Sequence, residues 1–133
     1  SSNNSISDAI QKQVADVDRL FQDDLVARKE LWSNVVEGDD EGKTSFYLLL
    51  TALIKNPKSE MIEKIVYDVD ALFQDDLVAR KRLWSTVVEG YGPEVGQTPF
   101  SLLLCALCNN PESEEMQKLI SGVESLLKDD LVD

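Results

Sequence analysis

Asp24, Arg28 and Trp32 are spaced four residues apart, and Asp76, Arg80 and Trp84 repeat the set 52 residues later. On a helix, positions four apart share one face. The spacing predicts a ladder along a helix edge, in which each carboxylate pairs with a guanidinium and the guanidinium stacks over an indole. Such a ladder would place the Arg stem at the border of an apolar stripe. Its role would be structural or partner-binding. Trp32 and Trp84 fall in phase with Leu25 and Val35 and with their counterparts, which predicts core positions. The competing reading is a pair of exposed partner anchors, since Trp is enriched in interface hot spots. The Asp-Asp pairs at 23-24, 75-76 and 129-130 offer carboxylates for cation binding or acid–base chemistry. Neighbours in sequence do not face each other on a helix, so these pairs are not read as catalytic.

Two other groupings carry less. Cys105 and Cys108 form a lone C-x-x-C inside an apolar segment, and the first copy has Thr51 and Ile54 there. A redox or metal role would want a helix N-terminus or a second motif, so both are expected as buried, inert thiols. Glu37-Gly38-Asp39-Asp40-Glu41-Gly42 has the opening of a calcium loop, but Leu48 stands where the bidentate Glu is needed. It reads as a solvated acidic loop.

Composition narrows the chemistry further. The chain has 133 residues, no histidine, 13 basic and 25 acidic residues, and a formal net charge of −12. Phosphate binding needs clustered Lys and Arg, so nucleic acid is not an expected partner. Without histidine there is no His-dependent triad, and the commonest zinc ligand is missing; two cysteines alone do not complete a four-thiolate site. No nucleophile–base or phosphate-loop motif is present, and neither an enzyme nor a cofactor is expected. The longest apolar run, Phe46 to Ile54, falls far short of the ~20 residues that a membrane helix needs. Asn3-Asn4-Ser5 fits the N-glycosylation acceptor pattern, a weak three-residue match.

The strongest signal is internal repetition. Residues 16–38 align with 68–90, and only Arg19/Ala71, Glu30/Arg82 and Asn34/Thr86 differ. The ten residues Leu20 to Lys29 recur unchanged as Leu72 to Lys81. After a loop two residues longer in the second copy, Thr44 to Pro57 aligns with Thr98 to Pro111, and Val123 to Val132 begins a third copy. The division expected is a polar tail over 1–7, one repeat over 8–59, a second over 60–113, and the start of a third over 114–133. That third piece is either a cap or part of a longer array.

Each unit reads as helical. Apolar positions recur every three or four residues from Ile10 through Val35 if Arg28 is admitted to the stripe. The pattern stays in phase across Gln22-Asp23-Asp24. This favours one continuous or gently kinked helix over two helices with an Asp capping the second. Gly38 and Gly90 would end it. Thr44 and Thr98 look like N-caps, with Pro99 at the first helical position. The helices that follow, Phe46 to Ile54 and Phe100 to Cys108, are apolar almost all round, which predicts burial on every side.

The fold expected is all-α: tandem helical repeats of long amphipathic helix, loop and short buried helix, sharing one core as a solenoid or compact bundle. The function expected is a non-enzymatic protein-interaction or assembly module with an acidic surface, through a protein partner or self-association. The alternative is a carrier of an apolar small molecule or lipid in a cavity between helices.

Overall fold

The computed structural model describes residue 16, residues 24–39 and residues 41–129, and within the last two stretches it forms six helices. The tail at 1–7, the start of the first repeat and the last four residues lie outside that set. So do the glycosylation-like pattern, Asp23, Asp40 and Asp130. The helices are α1 (Leu25–Ser33), α2 (Ser45–Lys55), α3 (Glu60–Leu72), α4 (Leu77–Ser85), α5 (Pro99–Asn109) and α6 (Glu114–Lys128). The described residues contain no strand, only one isolated bridge between Val35 and Thr44.

Polar caps set where these helices begin. Thr44, Ser59, Thr98 and Ser113 each accept a backbone N–H three residues on, and so satisfy a donor that the first turn leaves without a partner. At Thr98 the bond is reciprocal, because the Ser101 hydroxyl returns to the Thr98 N–H. Glu60, Glu63, Glu114 and Glu115 lie in the first turns of α3 and α6, at the positive ends of the helix dipoles.

The continuous helix expected across each Asp-Asp pair is not formed in the second copy. The helix stops at Leu72, turns through Phe73 to Asp76, and restarts at Leu77. Asp76 caps the restart by accepting from Ala79 N at 3.1 Å. In the first copy, Asp24 caps α1 in the same way, accepting from Ala27 N at 3.0 Å. A carboxylate that captures a backbone N–H competes with helix continuation, and here the cap wins. Phe73 at the break is buried, but Leu77 and Val87 beyond it are exposed, so the stripe does not continue in phase through α4.

The restarted helices are also shorter than expected. α1 and α4 end at Ser33 and Ser85, with Asn34 and Thr86 in extended conformation. Gly38 and Gly90 therefore lie in the loops, both at positive φ, where a side chain would be strained. Backbone bonds from Val36 N to Lys43 O and from Val88 N to Gln97 O close these loops.

α1 packs on α2 and α3, and α4 packs on α5 and α6. Between these groups the main contact is α2 against α5. The core is one continuous cluster that includes Trp32, Phe46, Leu50, Val66, Trp84, Leu103 and Val123. Phe46 meets Trp84 edge-on, with ring centroids 4.7 Å apart and an interplanar angle of 84°. That is a favoured geometry for two aromatic quadrupoles.

The expectation that α2 and α5 are buried on every side needs correcting. Each keeps one open side, marked by Leu48 on α2 and by Leu104 on α5. Cys105 and Cys108 share the open side of α5 and are exposed free thiols, not buried ones. A short helix is covered only where neighbours exist, and α5 has none on that side among the described residues.

Candidate functional site

The break before α4 turns that helix back toward α3, and this brings an unanticipated carboxylate to the ladder. Asp70, in the last turn of α3, accepts from Arg80 Nε at 2.7 Å and from Arg80 Nη2 at 3.0 Å. It also accepts from Trp84 Nε1 at 2.8 Å. The fork-like pairing of guanidinium and carboxylate suits the planar geometry of both groups. The side chains of Asp70 and Arg80 are only 13% and 18% exposed. Arg80 and Trp84 thus share a partner, an arrangement that the expected ladder of carboxylate, guanidinium and stacked indole did not include. That partner is Asp70 and not Asp76, whose side chain caps α4.

The signal for Asp70 was present in the sequence. It follows Val66 by four and precedes Phe73 by three, so it lies in the buried stripe, where an unpaired carboxylate would be costly. Its counterpart in the first copy is Asp18, which lies outside the described residues. Arg28 is half-buried and Trp32 is buried, matching the state of Arg80 and Trp84. Lys29 Nζ lies 5.6 Å from the Phe73 ring centre, within cation–π reach.

A second polar grouping ties the two copies together near the loops. The Tyr47 hydroxyl lies 3.2 Å from Glu94 Oε2 and 3.3 Å from Gln97 Oε1. Its single proton serves one of them at a time. Lys43 Nζ lies 3.0 Å from Glu94 Oε2. Burial, followed by the negative charge of Glu94, pushes Tyr47 up to about 12 from 10.0. The hydrogen bond from Lys43 holds Glu94 below the ordinary glutamate value. Glu94 in turn holds Lys43 above the ordinary lysine value. These shifts fit a structural latch between the two copies.

The acidic loop behaves as a turn. Asp39 Oδ1 accepts from Glu41 N at 2.8 Å, the bonding of an Asx turn. Among the described residues, no group of three or more acidic or cysteine side chains is arranged to hold a metal ion.

An open notch of about 690 Å³ separates the N-terminal turns of α3 and α6, lined by Glu60, Glu63, Lys64, Tyr67, Ser113 and Glu115 among others. Tyr67 donates to Glu63, and the Ser113 hydroxyl donates to the same Glu63 oxygen at 2.9 Å. Burial, then the bond to Glu63, raises Tyr67 well above the ordinary tyrosine value. The notch is charged, whereas an apolar carrier needs a largely apolar cavity.

What the two copies repeat most clearly on the outside is apolar. Leu25 and Leu77, at the starts of α1 and α4, are both exposed, and so are Val35 and Val87 just beyond their ends. No family model, curated protein or solved structure matches the chain.

Proposed function

We propose that this chain is a non-enzymatic interaction module of tandem helical repeats, with units over 8–59 and 60–113 and the start of a third over 114–133. Its acidic surface takes up a protein partner along the repeated face of α1 and α4. The observation that supports this is the paired exposure of Leu25 with Leu77 and of Val35 with Val87. Core packing does not require apolar side chains in water at the same places in both copies. A partner that reads a periodic surface does. Between these positions only Glu30/Arg82 and Asn34/Thr86 differ, so the two faces share their apolar residues and most of their polar ones.

Affinity capture with the full chain, followed by reconstitution with the purified captured protein, tests the reading. Leu25→Ser with Val35→Ser, and Leu77→Ser with Val87→Ser, are each expected to weaken binding at least tenfold. Capture of lipid alone, or of a protein indifferent to both pairs, would overturn it.

A further inference from the structure

The two copies lie side by side in the same direction. Near the start of α2, Tyr47 meets Gln97, just ahead of α5. At the end of α2, Ile54 O accepts from Asn109 Nδ2 at 3.2 Å, and beyond it Pro57 O accepts from Asn110 Nδ2 at 3.1 Å. Further on, Glu63 in α3 meets Ser113 at the start of α6 at 2.9 Å. Each residue thus faces the region of its own counterpart, as in a translation. A two-fold axis across the helices would set starts against ends, and one along them would bury the same side of both helices. A translational contact is heterologous: it uses two different faces and leaves one of each open.

The burial of equivalent side chains identifies those faces. Leu50 on α2 is 0% exposed, while its counterpart Leu104 on α5 is 41% exposed. Leu48 is 42% exposed, while its counterpart Leu102 is 5% exposed. Leu53 and Ala106 are likewise buried where Leu107 and Ala52 are half-buried. Positions two apart on a helix point about 200° away from each other, so Leu48 and Leu50 mark opposite sides. The residue type and the helix are the same in each comparison. What differs is the neighbour. The side carrying Leu50 and Leu53 is covered in the first copy, and the side carrying Leu102 and Ala106 is covered in the second. The side of α2 with Leu48 and Ala52, and the side of α5 with Leu104, Leu107 and Cys108, are the two unmatched halves of that seam.

We propose that these open sides are the two halves of a head-to-tail self-association surface, and that the occupant of each is a second copy of this chain. This rests on the tandem-repeat reading above but not on its protein partner. The α5 side of one molecule receives the α2 side of the next, in the register that α2 and α5 already use within the chain. In that register Lys55 takes the place of Asn109. It comes to the Cys108 carbonyl beside Glu112, an attractive pair of charges. Ser101 stands in place of Tyr47, so the hydroxyl link to the next copy is lost. The contact between molecules is therefore weaker than the seam inside one. Because the interface is heterologous, assembly continues past two molecules.

Sedimentation velocity of the full chain from about 10 µM to 1 mM tests this, in about 0.3 M salt to screen the net charge. The expected result is a weight-average mass that rises with concentration through dimers to longer species. Leu48→Glu and Leu104→Glu, both at exposed positions, should each weaken association about tenfold or more through loss of apolar burial. An equimolar mixture of the two variants should form a dimer that grows no further, since each variant keeps one intact side. Circular dichroism and thermal unfolding confirm that both variants fold. A mass fixed at the monomer, association unaffected by both substitutions, or a closed dimer that the mixture does not restore would overturn the proposal. None of these outcomes touches the repeated face of α1 and α4, whose test uses a purified partner.

Discussion

Asp70→Ala is the most informative single substitution in this chain. The carboxylate accepts three hydrogen bonds, two from Arg80 and one from Trp84 Nε1. Trp84 is fully buried, so its orphaned N–H finds no water and costs about 1–3 kcal/mol. Breaking a fully buried ion pair from one side costs about 3–5 kcal/mol. Arg80 keeps 18% of its side chain in solvent, so roughly half of that figure applies here. The two penalties overlap, which gives a total of about 3–4 kcal/mol. This is a large share of the ~5–15 kcal/mol that holds a domain together. For a chain of this size it corresponds to a fall in Tm of about 10 °C or more. Equilibrium unfolding in urea, followed by far-ultraviolet circular dichroism, gives the free energies. A double-mutant cycle with Arg80→Ala should show a coupling of ~1–2 kcal/mol. Asp76→Ala, which removes only a cap, should cost about 1 kcal/mol and show no coupling to Arg80. Additivity of Asp70→Ala and Arg80→Ala within ~0.5 kcal/mol, or coupling of Arg80 to Asp76 instead, would refute the reasoning.

Three further outcomes are expected. Leu50→Ala should destabilise by about 2–5 kcal/mol in denaturant titrations, whereas Leu104→Ala, the same residue at the open side, should stay within ~0.5–1 kcal/mol. Cys105 and Cys108 are exposed, so at low protein concentration both should react with an aromatic disulfide reagent at close to the unfolded rate. Tyr47 has its value raised in the fold to about 12 from 10.0, so its contribution is fully present below pH 10 and is lost as pH rises from 10 to 12. Glu94 has its value lowered from 4.5, so its contribution is present above that value and is lost as pH falls through the folded one. Unfolding free energies across both limbs should be flatter in Tyr47→Phe above pH 10 and in Glu94→Gln below pH 4.5.

The threonine helix caps were legible in the sequence because each follows from residues close together in the chain. Thr44, Thr98 and Pro99 act locally, and the structure uses them as their types imply. The tryptophans are buried as expected, but Leu25 and Val35, whose phase they share, are exposed, so phase was not what placed them in the core. Two features were not legible. Apolar periodicity records which side faces the core, and it stays silent about whether neighbours exist on the remaining sides. The segment Phe100 to Cys108 has the composition of an enclosed helix, yet Leu104 and both cysteines face outward. Composition describes what a helix could tolerate, and burial depends on what packs against it. Comparing equivalent residues in the two copies recovers this missing information, because it holds the side chain constant and varies only the surroundings.

The break at Phe73 to Asp76 shows the same limit at a finer scale. Gln22-Asp23-Asp24 and Gln74-Asp75-Asp76 allow either a helical reading or a capping one, and an in-phase stripe does not distinguish them. The choice depends on Asp70. Were α3 and α4 one straight helix, Asp70 and Arg80 would lie ten residues and about 15 Å apart along the axis, too far to pair. Trp84 would lie farther still. With the chain folded at the break, one carboxylate serves the guanidinium and the indole, and Asp76 satisfies the new helix start. The turn and the Asp70 cluster thus require each other. A straight helix would leave Asp70 in the apolar stripe without a partner, at a cost of several kcal/mol. The same logic gives the Asp-Arg-Trp spacing its meaning. Arg80 and Trp84 are four apart so that both can reach a third residue on the preceding helix.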